Sequence, residues 1–406
     1  MTAATRFPKG GDVPNFDAGE AVAALVDLDH PTKVKARDWA LTALDDPTLP
    51  ERDEACAFWD EGWARLAERG MMALLNDPAW GGSGVGVIEA LLTFEGLGYG
   101  CRDAGLLFAL STQVWTMQPI IERFGDDGQR TRYLPDLCAG RIAAAFCITE
   151  ADSGSDSFAM ATTATPQDDG GFVLDGSKAY ITSAPRADVF IVFATTDPAI
   201  GQWGVTAFLV DADTPGLIVG PNRPKMGLRT TPFADVTFDG CRIGPEAVIG
   251  SVGAGASIFS AAMESERAFV LAGQIGAMER QLDEAVGYSR RRQQFGQPIG
   301  DFQAVGHRLA DMKLRHDNAR LQLYRAAILD AQGRPSMEAA ALAKIQASEA
   351  AVASSVDALL INGARGYVTE FGVEADLRNV AGGVVYGGTS DVQRNIIARL
   401  LGRGRG

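Results

Sequence analysis

The most chemically suggestive residue in this 406-residue chain is a carboxylate set into an apolar helical face. Glu266 has Phe259, Met263, Val270 and Gly273 around it at helical spacing. Burying a carboxylate is costly unless the group is paired, neutralised or functional. The same desolvation lifts its pKa toward that of a useful general base. A salt bridge to a basic residue, or a helix face turned to solvent, would account for Glu266 without chemistry. Glu264, two positions earlier and so on another face, is the reserve candidate. Other reactive types are sparse. His30, His307 and His316 have no second ligand nearby in sequence, and the five cysteines are scattered without a CxxC pair. The cysteines read as reduced thiols, and the two sets together argue against a catalytic metal centre. His316 continues the stripe Val305, Leu309, Met312, Ala319, Leu323, so it reads as a packed core histidine. The basic knot Arg290-Arg291-Arg292 reads, on composition, as a solvated helix end. The glycines between Gly81 and Gly86 follow a helical segment, not a strand, so they form a turn and not a dinucleotide loop.

These groups must be held by a large scaffold. The chain has length for two or three domains, with 46% hydrophobic and 22% charged residues, as in an ordinary globular protein. A formal charge of −14 argues against a nucleic-acid partner. No apolar run approaches the roughly 20 residues that span a bilayer. No apolar core follows the single early arginine, so no signal peptide is expected, and a cytoplasmic location follows. Residues 1–145 carry helical periodicity at 33–46, 53–75, 85–98, 113–124 and 127–138. Residues 146–248 switch to alternating segments at 171–182, 188–196, 203–212 and 234–243. With no helices between them, these strands predict a mostly antiparallel barrel or sandwich. Residues 249–406 return to long helices at 255–292, 302–331, 336–361 and 390–401, which suggests a four-helix bundle. The fold class expected is therefore α+β, in the order helical domain, β domain, helical bundle.

From about residue 80 onward the chain resembles the acyl-CoA dehydrogenase superfamily. The first block is FCITEADSGSD at 146–156, similar to the family's aromatic-x-x-T-E-x-x-x-G-S-D signature. The second is DGSKAYIT at 175–182. MGLR at 226–229 is followed by RQQFG at 292–296 and by Phe302-Gln303. The last is GTSDVQRNII at 388–397. The resemblance implies FAD, with Phe146, Ile148 and Thr149 lining the flavin ring and Ser155 touching cofactor or substrate. It places Tyr180 against the flavin and Thr182 in hydrogen bonding to it. Arg292 would reach the pyrophosphate of a neighbouring subunit's FAD, a bidentate task suited to a guanidinium, with Phe295 and Gln303 completing that wall. Thr389 and Asp391 open the last helix, where free amides favour phosphate; capping alone explains Thr389 equally well. Ser390 and Gln393 suggest a capping box there. Sites shared between subunits imply a homo-oligomer, in this family usually a tetramer.

The main departure concerns the base. Most of the superfamily carries it in an aromatic-Glu-Gly-Thr motif near the C-terminus, where this chain reads Tyr386-Gly387-Gly388-Thr389. A branch including isovaleryl-CoA dehydrogenases places the base on an earlier helix, immediately before an arginine, and Glu266-Arg267 fits that position. Arg267 would then orient the loop carrying Gly387. Leu360, Ala364 and Asn379 also depart from the family pattern on the adenosine side. The implied activity is α,β-dehydrogenation of an acyl thioester, on CoA or a carrier protein, with electrons passed to an electron-transfer flavoprotein. A flavin oxidase or monooxygenase on the same fold, or a non-catalytic binding relative, are the alternatives.

Overall fold

The computed structural model describes residues 18–402; the amino-terminal stretch read for a signal peptide lies outside them. Eight helices come first: α1 (Ala18–Val26), α2 (Pro31–Ala43), α3 (Leu49–Ala55), α4 (Asp60–Glu68), α5 (Val87–Gly100), α6 (Ala104–Thr112), α7 (Gln118–Phe124) and α8 (Asp127–Cys138). The helix expected over 53–75 is in fact interrupted, because Cys56 caps α3 in the left-handed region at φ 53°. The segment Gln113–Met117 joins α6 to α7 as a π-helical turn.

Strands β1 (Ala144–Cys147), β2 (Thr163–Pro166), β3 (Phe172–Thr182), β4 (Val189–Thr195), β5 (Val205–Asp211), β6 (Leu217–Val219) and β7 (Phe233–Ile243) form one sheet in the order β1-β4-β2-β3-β7-β6, with β5 also pairing β4. Most pairings are antiparallel, as expected, but β1 and β4 run parallel and β2 meets β4 in a short parallel contact. All seven residues of β4 are buried, which a continuous apolar run covered on both faces requires. One face of the sheet closes its own core around Phe190, Phe208 and Phe238. The other packs Ile191 and Phe193 against Ile121, Leu134 and Ile258 of the flanking helices.

The chain then returns to helix: α9 (Gly255–Phe269), α10 (Ala272–Arg291), a hairpin of β8 (Gln293–Gln294) and β9 (Gln297–Pro298), α11 (Gln303–Ala331), α12 (Met337–Asn362), α13 (Ala364–Tyr367), α14 (Val373–Ala381) and α15 (Ser390–Leu400). The single helix expected over 255–292 is two, separated at Val270 and Leu271. Two shorter helices, α13 and α14, were not expected; they follow Gly363 and Gly372, which hold positive φ.

The first and last thirds share one core, in which α5 and α10 cross in backbone contact. A Cβ on Gly98 would lie 1.8 Å from the Gly273 carbonyl oxygen, and one on Gly276 1.8 Å from that of Glu95. Only glycine permits this approach. A buried ionic network crosses the same seam. Glu95 accepts from Arg320 Nε (2.7 Å) and from the Tyr324 hydroxyl (2.7 Å), and Lys33 Nζ lies 3.3 Å from it. Lys33 also pairs with Glu279 at 2.5 Å. Arg320 reaches on to the carbonyls of Ala24 and Leu25. The network joins α1, α2, α5, α10 and α11. No helix among the described residues is long and apolar enough to cross a membrane.

Candidate active site

Phe146 sits on β1, and the chain beyond it is fastened to β3 by the Ala179 amide donating to the Thr149 carbonyl at 2.9 Å. Glu150 fixes that segment further. Its carboxylate accepts from Lys178 Nζ (2.8 Å), from the amides of Ala161 (2.7 Å) and Thr162 (3.0 Å), and from the Thr162 hydroxyl (2.5 Å). Burial would raise its pKa, but these donors hold the carboxyl below its ordinary range. Lys178 also donates to the Ile148 carbonyl at 3.2 Å. Glu150 and Lys178 thus shape the loop holding Ile148, Thr149 and Ser155. Both stood in motifs quoted from the sequence, yet only their contacts reveal the pairing.

Aromatic rings back this loop. Phe146 packs edge-on to Phe193 (5.1 Å) and near-parallel to Phe259 (6.3 Å, 19°), and Phe158 closes on Phe259 at 5.5 Å. Ser155 is exposed, and the space a Cβ on Gly154 would enter is open. A bulge in β3 between Lys178 and Ile181 puts Tyr180 at φ 63°, with its ring half exposed. A bulky residue held there is strained, and such strain clusters at functional sites. Phe233 stacks on the ring at 6.2 Å, and Arg223 lies 5.3 Å from its centroid. Thr182 ends the strand, partly buried. An apolar wall edged by small hydroxyl residues matches the chemistry of an isoalloxazine slot.

Glu266 lies in the last turn of α9, partly buried. Burial raises its carboxyl to about 7, against the opposing pull of a hydrogen bond from Thr116 (3.1 Å to Oε2) and of the Arg267 charge. It forms no salt bridge among the described residues, which removes the simplest structural explanation for it. Glu264 turns elsewhere, toward Asp330, whose carboxyl is raised by burial and then by the Glu264 charge. The phenol of Tyr386 is raised by burial and by the charge of Glu266, so these two side chains are neighbours. Beside Tyr386 is a cavity of about 60 Å³ walled by Leu107, Phe108 and Ser111 of α6, by Val270, Gly273 and Gln274, and by Tyr386 itself. Phe108 and Tyr386, both in its wall, meet at 4.6 Å between ring centroids. A larger open cleft of about 420 Å³ lies between α8 and the sheet, where Arg132 pairs with Asp211. It holds none of the residues singled out above, whereas the smaller cavity is lined by Tyr386, the neighbour of Glu266, and by Val270, one helical turn beyond it.

The loop that carries the missing glutamate position has its own supports. Gly387 and Gly388 adopt φ of 63° and 83°, and a Cβ on Gly387 would enter open space. Gln393 Nε2 donates to both their carbonyls, at 3.0 and 3.1 Å. Lys344 Nζ donates to the Gly383 carbonyl at 2.6 Å just upstream. Arg267, expected to orient this loop, makes no hydrogen bond to Gly387 among the described residues, and its buried Nε has no partner. The expected capping box is also reassigned: Thr389 is the N-cap, accepting from the Val392 amide at 3.2 Å, while Ser390 is already helical and Gln393 serves the loop. Asp391 is exposed in the first turn.

Arg292, Phe295 and Gln303 gather where α10 passes through the hairpin into α11, all exposed. Phe295 is 94% exposed at φ 52°, a left-handed phenylalanine held out at a hairpin tip. Arg292 has no ion pair among the described residues. Asn379 accepts from the Leu228 amide at 2.7 Å and so docks the 226–229 loop on α14; Leu360 is half exposed and Ala364 begins α13. Glu95, Glu279 and His316 bring ligand atoms within 4.8 Å of one another, but Lys33 and Arg320 already occupy the carboxylates.

Comparison with known proteins fits this geometry. Residues 32–141, 145–241 and 253–402 match the family models of the acyl-CoA dehydrogenase N-terminal, middle and C-terminal domains. The likeness therefore begins well before residue 80, in helices whose periodicity carries no motif. An L-prolyl-[peptidyl-carrier protein] dehydrogenase from Pseudomonas fluorescens is 42% identical over 345 residues, covering 85% of this chain and 90% of that protein. The crystal structure of the prolyl acyl carrier protein oxidase AnaB matches with a TM-score of 0.90 at 37% identity, over 91% of this chain and 98% of that one. The structure of PigA with FAD and proline matches with a TM-score of 0.89 at 37% identity, over 92% and 97%.

Proposed function

This chain belongs to the acyl-CoA dehydrogenase family, and on that premise we propose that its substrate is a prolyl group carried as a thioester on a carrier protein, with Glu266 as the base. The enzyme is an FAD-dependent oxidoreductase acting on CH–CH bonds of acyl thioesters. The observation that carries the proposal is the Glu266 carboxylate, raised by burial and without a salt bridge among the described residues, one helical turn from Val270 in the wall of a cavity of only about 60 Å³, which suits a compact group better than a long acyl chain. The named substrates of the carrier-linked relatives support the same choice.

FAD, when bound, supplies the acceptor for the hydride leaving the β carbon. Phe146, Ile148, Thr149, Tyr180 and Thr182 are the residues proposed to hold its ring, and Ser155 stands where cofactor and thioester meet. Glu266 takes the α-proton onto its carboxylate, and a carbon–carbon double bond forms between Cα and Cβ. The lifted pKa makes this carboxylate a stronger proton acceptor than an ordinary one at neutral pH. Arg267 and Gly387 border the thioester. Arg292, Phe295, Gln303, Thr389 and Asp391 are assigned to the cofactor's diphosphate side, with Arg292 and Phe295 reaching a neighbouring subunit. That sharing requires more than one subunit, and the assembly assigned is a cytoplasmic homotetramer. A structural likeness to a chain in a structure described as the electron transferring flavoprotein of Acidaminococcus fermentans supports such a flavoprotein as electron acceptor. The relative named as an oxidase favours dioxygen as a second acceptor.

Anaerobic mixing of the holoenzyme with prolyl-carrier, short acyl-carrier and acyl-CoA thioesters tests the proposal. Prolyl-carrier should remove the oxidised flavin absorbance fastest, and Glu266→Gln should abolish that loss while retaining FAD. Preference for an acyl-CoA would overturn the substrate; normal reduction in Glu266→Gln would overturn the base. Oxygen consumption without added acceptor would identify the oxidase.

A further inference from the structure

We propose that Thr116 is the residue that positions the Glu266 carboxylate, presented to it by a π-helical turn locked to the strand that carries Phe146. The inference rests on the reading of Glu266 as the base. Buried threonines in helices usually satisfy their hydroxyl on their own preceding turn. Thr93 donates to the Glu89 carbonyl and Thr112 to that of Ala109 in this way. Thr116, only 2% exposed, instead donates its hydroxyl 3.1 Å across to Glu266, 150 residues away.

The turn that presents it is irregular for a reason legible in the chain. Pro119 has no amide hydrogen, so the Trp115 carbonyl loses its ordinary helical donor. The Gln118 amide reaches back to the Gln113 carbonyl, five residues away, which is the π pattern. One extra residue per turn rotates the face presented, and such turns recur at functional sites. Gln113 then clamps the turn to β1. Its side chain accepts from the Ala144 amide at 2.9 Å and donates to the Ala144 carbonyl at 2.8 Å, while itself 1% exposed. Ala144 lies two residues before Phe146. The turn is thus hydrogen-bonded to the proton acceptor through Thr116 and to the strand at the flavin wall through Gln113, so the spacing between the two is set by one short backbone segment before substrate arrives.

The charged and titratable groups around Glu266 are few. Arg267 is on its own helix and Tyr386 comes from the C-terminal loop; on α11, Asp330 faces Glu264 instead, together with Arg123 of α7. Thr116 is the hydrogen-bond donor to the carboxylate, and a donor favours the charged form. Removing it should move the proton affinity of Glu266 upward and let the carboxylate rotate.

The test is the pH profile of anaerobic flavin reduction by prolyl-carrier thioester in the holoenzyme. Thr116→Val and Thr116→Ala should move the midpoint up by about one pH unit, and lower the high-pH plateau about tenfold. Thr116→Ser, which keeps the hydroxyl, should hold the midpoint. Unchanged midpoints in both Val and Ala variants would overturn the proposal, as would loss of FAD from both with no profile to measure, since Thr116 would then serve the fold. Glu266→Gln is run beside them: if that variant reduces flavin normally, the base assignment fails instead.

Discussion

Glu266 combines two demands that oppose each other, a carboxylate that must ionise and surroundings that resist its charge. Its pKa in the fold, about 7, lies above the ordinary 4.5. The penalty is therefore absent below the unfolded pKa, grows as pH rises between the two values, and is constant above about 7. At about 1.4 kcal/mol per pH unit, discounted for the group's partial exposure, this amounts to about 2 kcal/mol. Glu266→Gln should accordingly raise the melting temperature of the protein at pH 8 and leave it nearly unchanged at pH 4. An equal effect at both would show that the carboxylate is not destabilised by its site. The residue was visible in sequence as a polar break in an apolar face and by its place before Arg267. Thr116 was not. Its partner is 150 positions away, and its orientation depends on a π turn that periodicity cannot distinguish from ordinary helix.

At the scale of elements, the loop after β1 depends on a buried ion pair. Lys178 is fully buried and Glu150 nearly so, and removing one partner of such a pair leaves an uncompensated charge. Lys178→Met should cost about 3 kcal/mol in denaturant unfolding and loosen FAD, read as flavin released on ultrafiltration. Retained FAD with unchanged stability would remove the pair from the cofactor's support. Helices and strands with clean periodicity, such as α8 over 127–138 and β3 over 172–182, were legible to within a residue. Breaks were harder. The interruption after α3 starts at left-handed Cys56 and runs to Trp59, the one after α9 turns on Leu271, and the parallel pairing of β1 with β4 is a long-range choice that local alternation does not record.

At the scale of the molecule, Phe295 is the feature a lone subunit explains least. A phenylalanine 94% exposed and in the left-handed region has neither solvation nor backbone preference in its favour. Phe295→Ser should shift the assembly to smaller species by light scattering and lower the flavin-to-protein absorbance ratio. An unchanged mass and ratio would end its assignment to a shared site. The three-part order followed from patterning. The amino-terminal likeness from residue 32 did not, because it is spread over helical periodicity without a short motif.

The network centred on Glu95 bears on how this molecule breathes. Its members come from helices far apart in the chain, α1 and α2 with α10 and α11, and are tied together through Lys33 and Arg320 at a carboxylate 1% exposed. Peeling the amino-terminal helices away would strand Lys33 or Glu95 without its counter-ion in a dry seam. Local fraying therefore has no cheap route there, and the backbone amides of α2 and α11 share a single opening event, although nearly 300 residues of chain separate them.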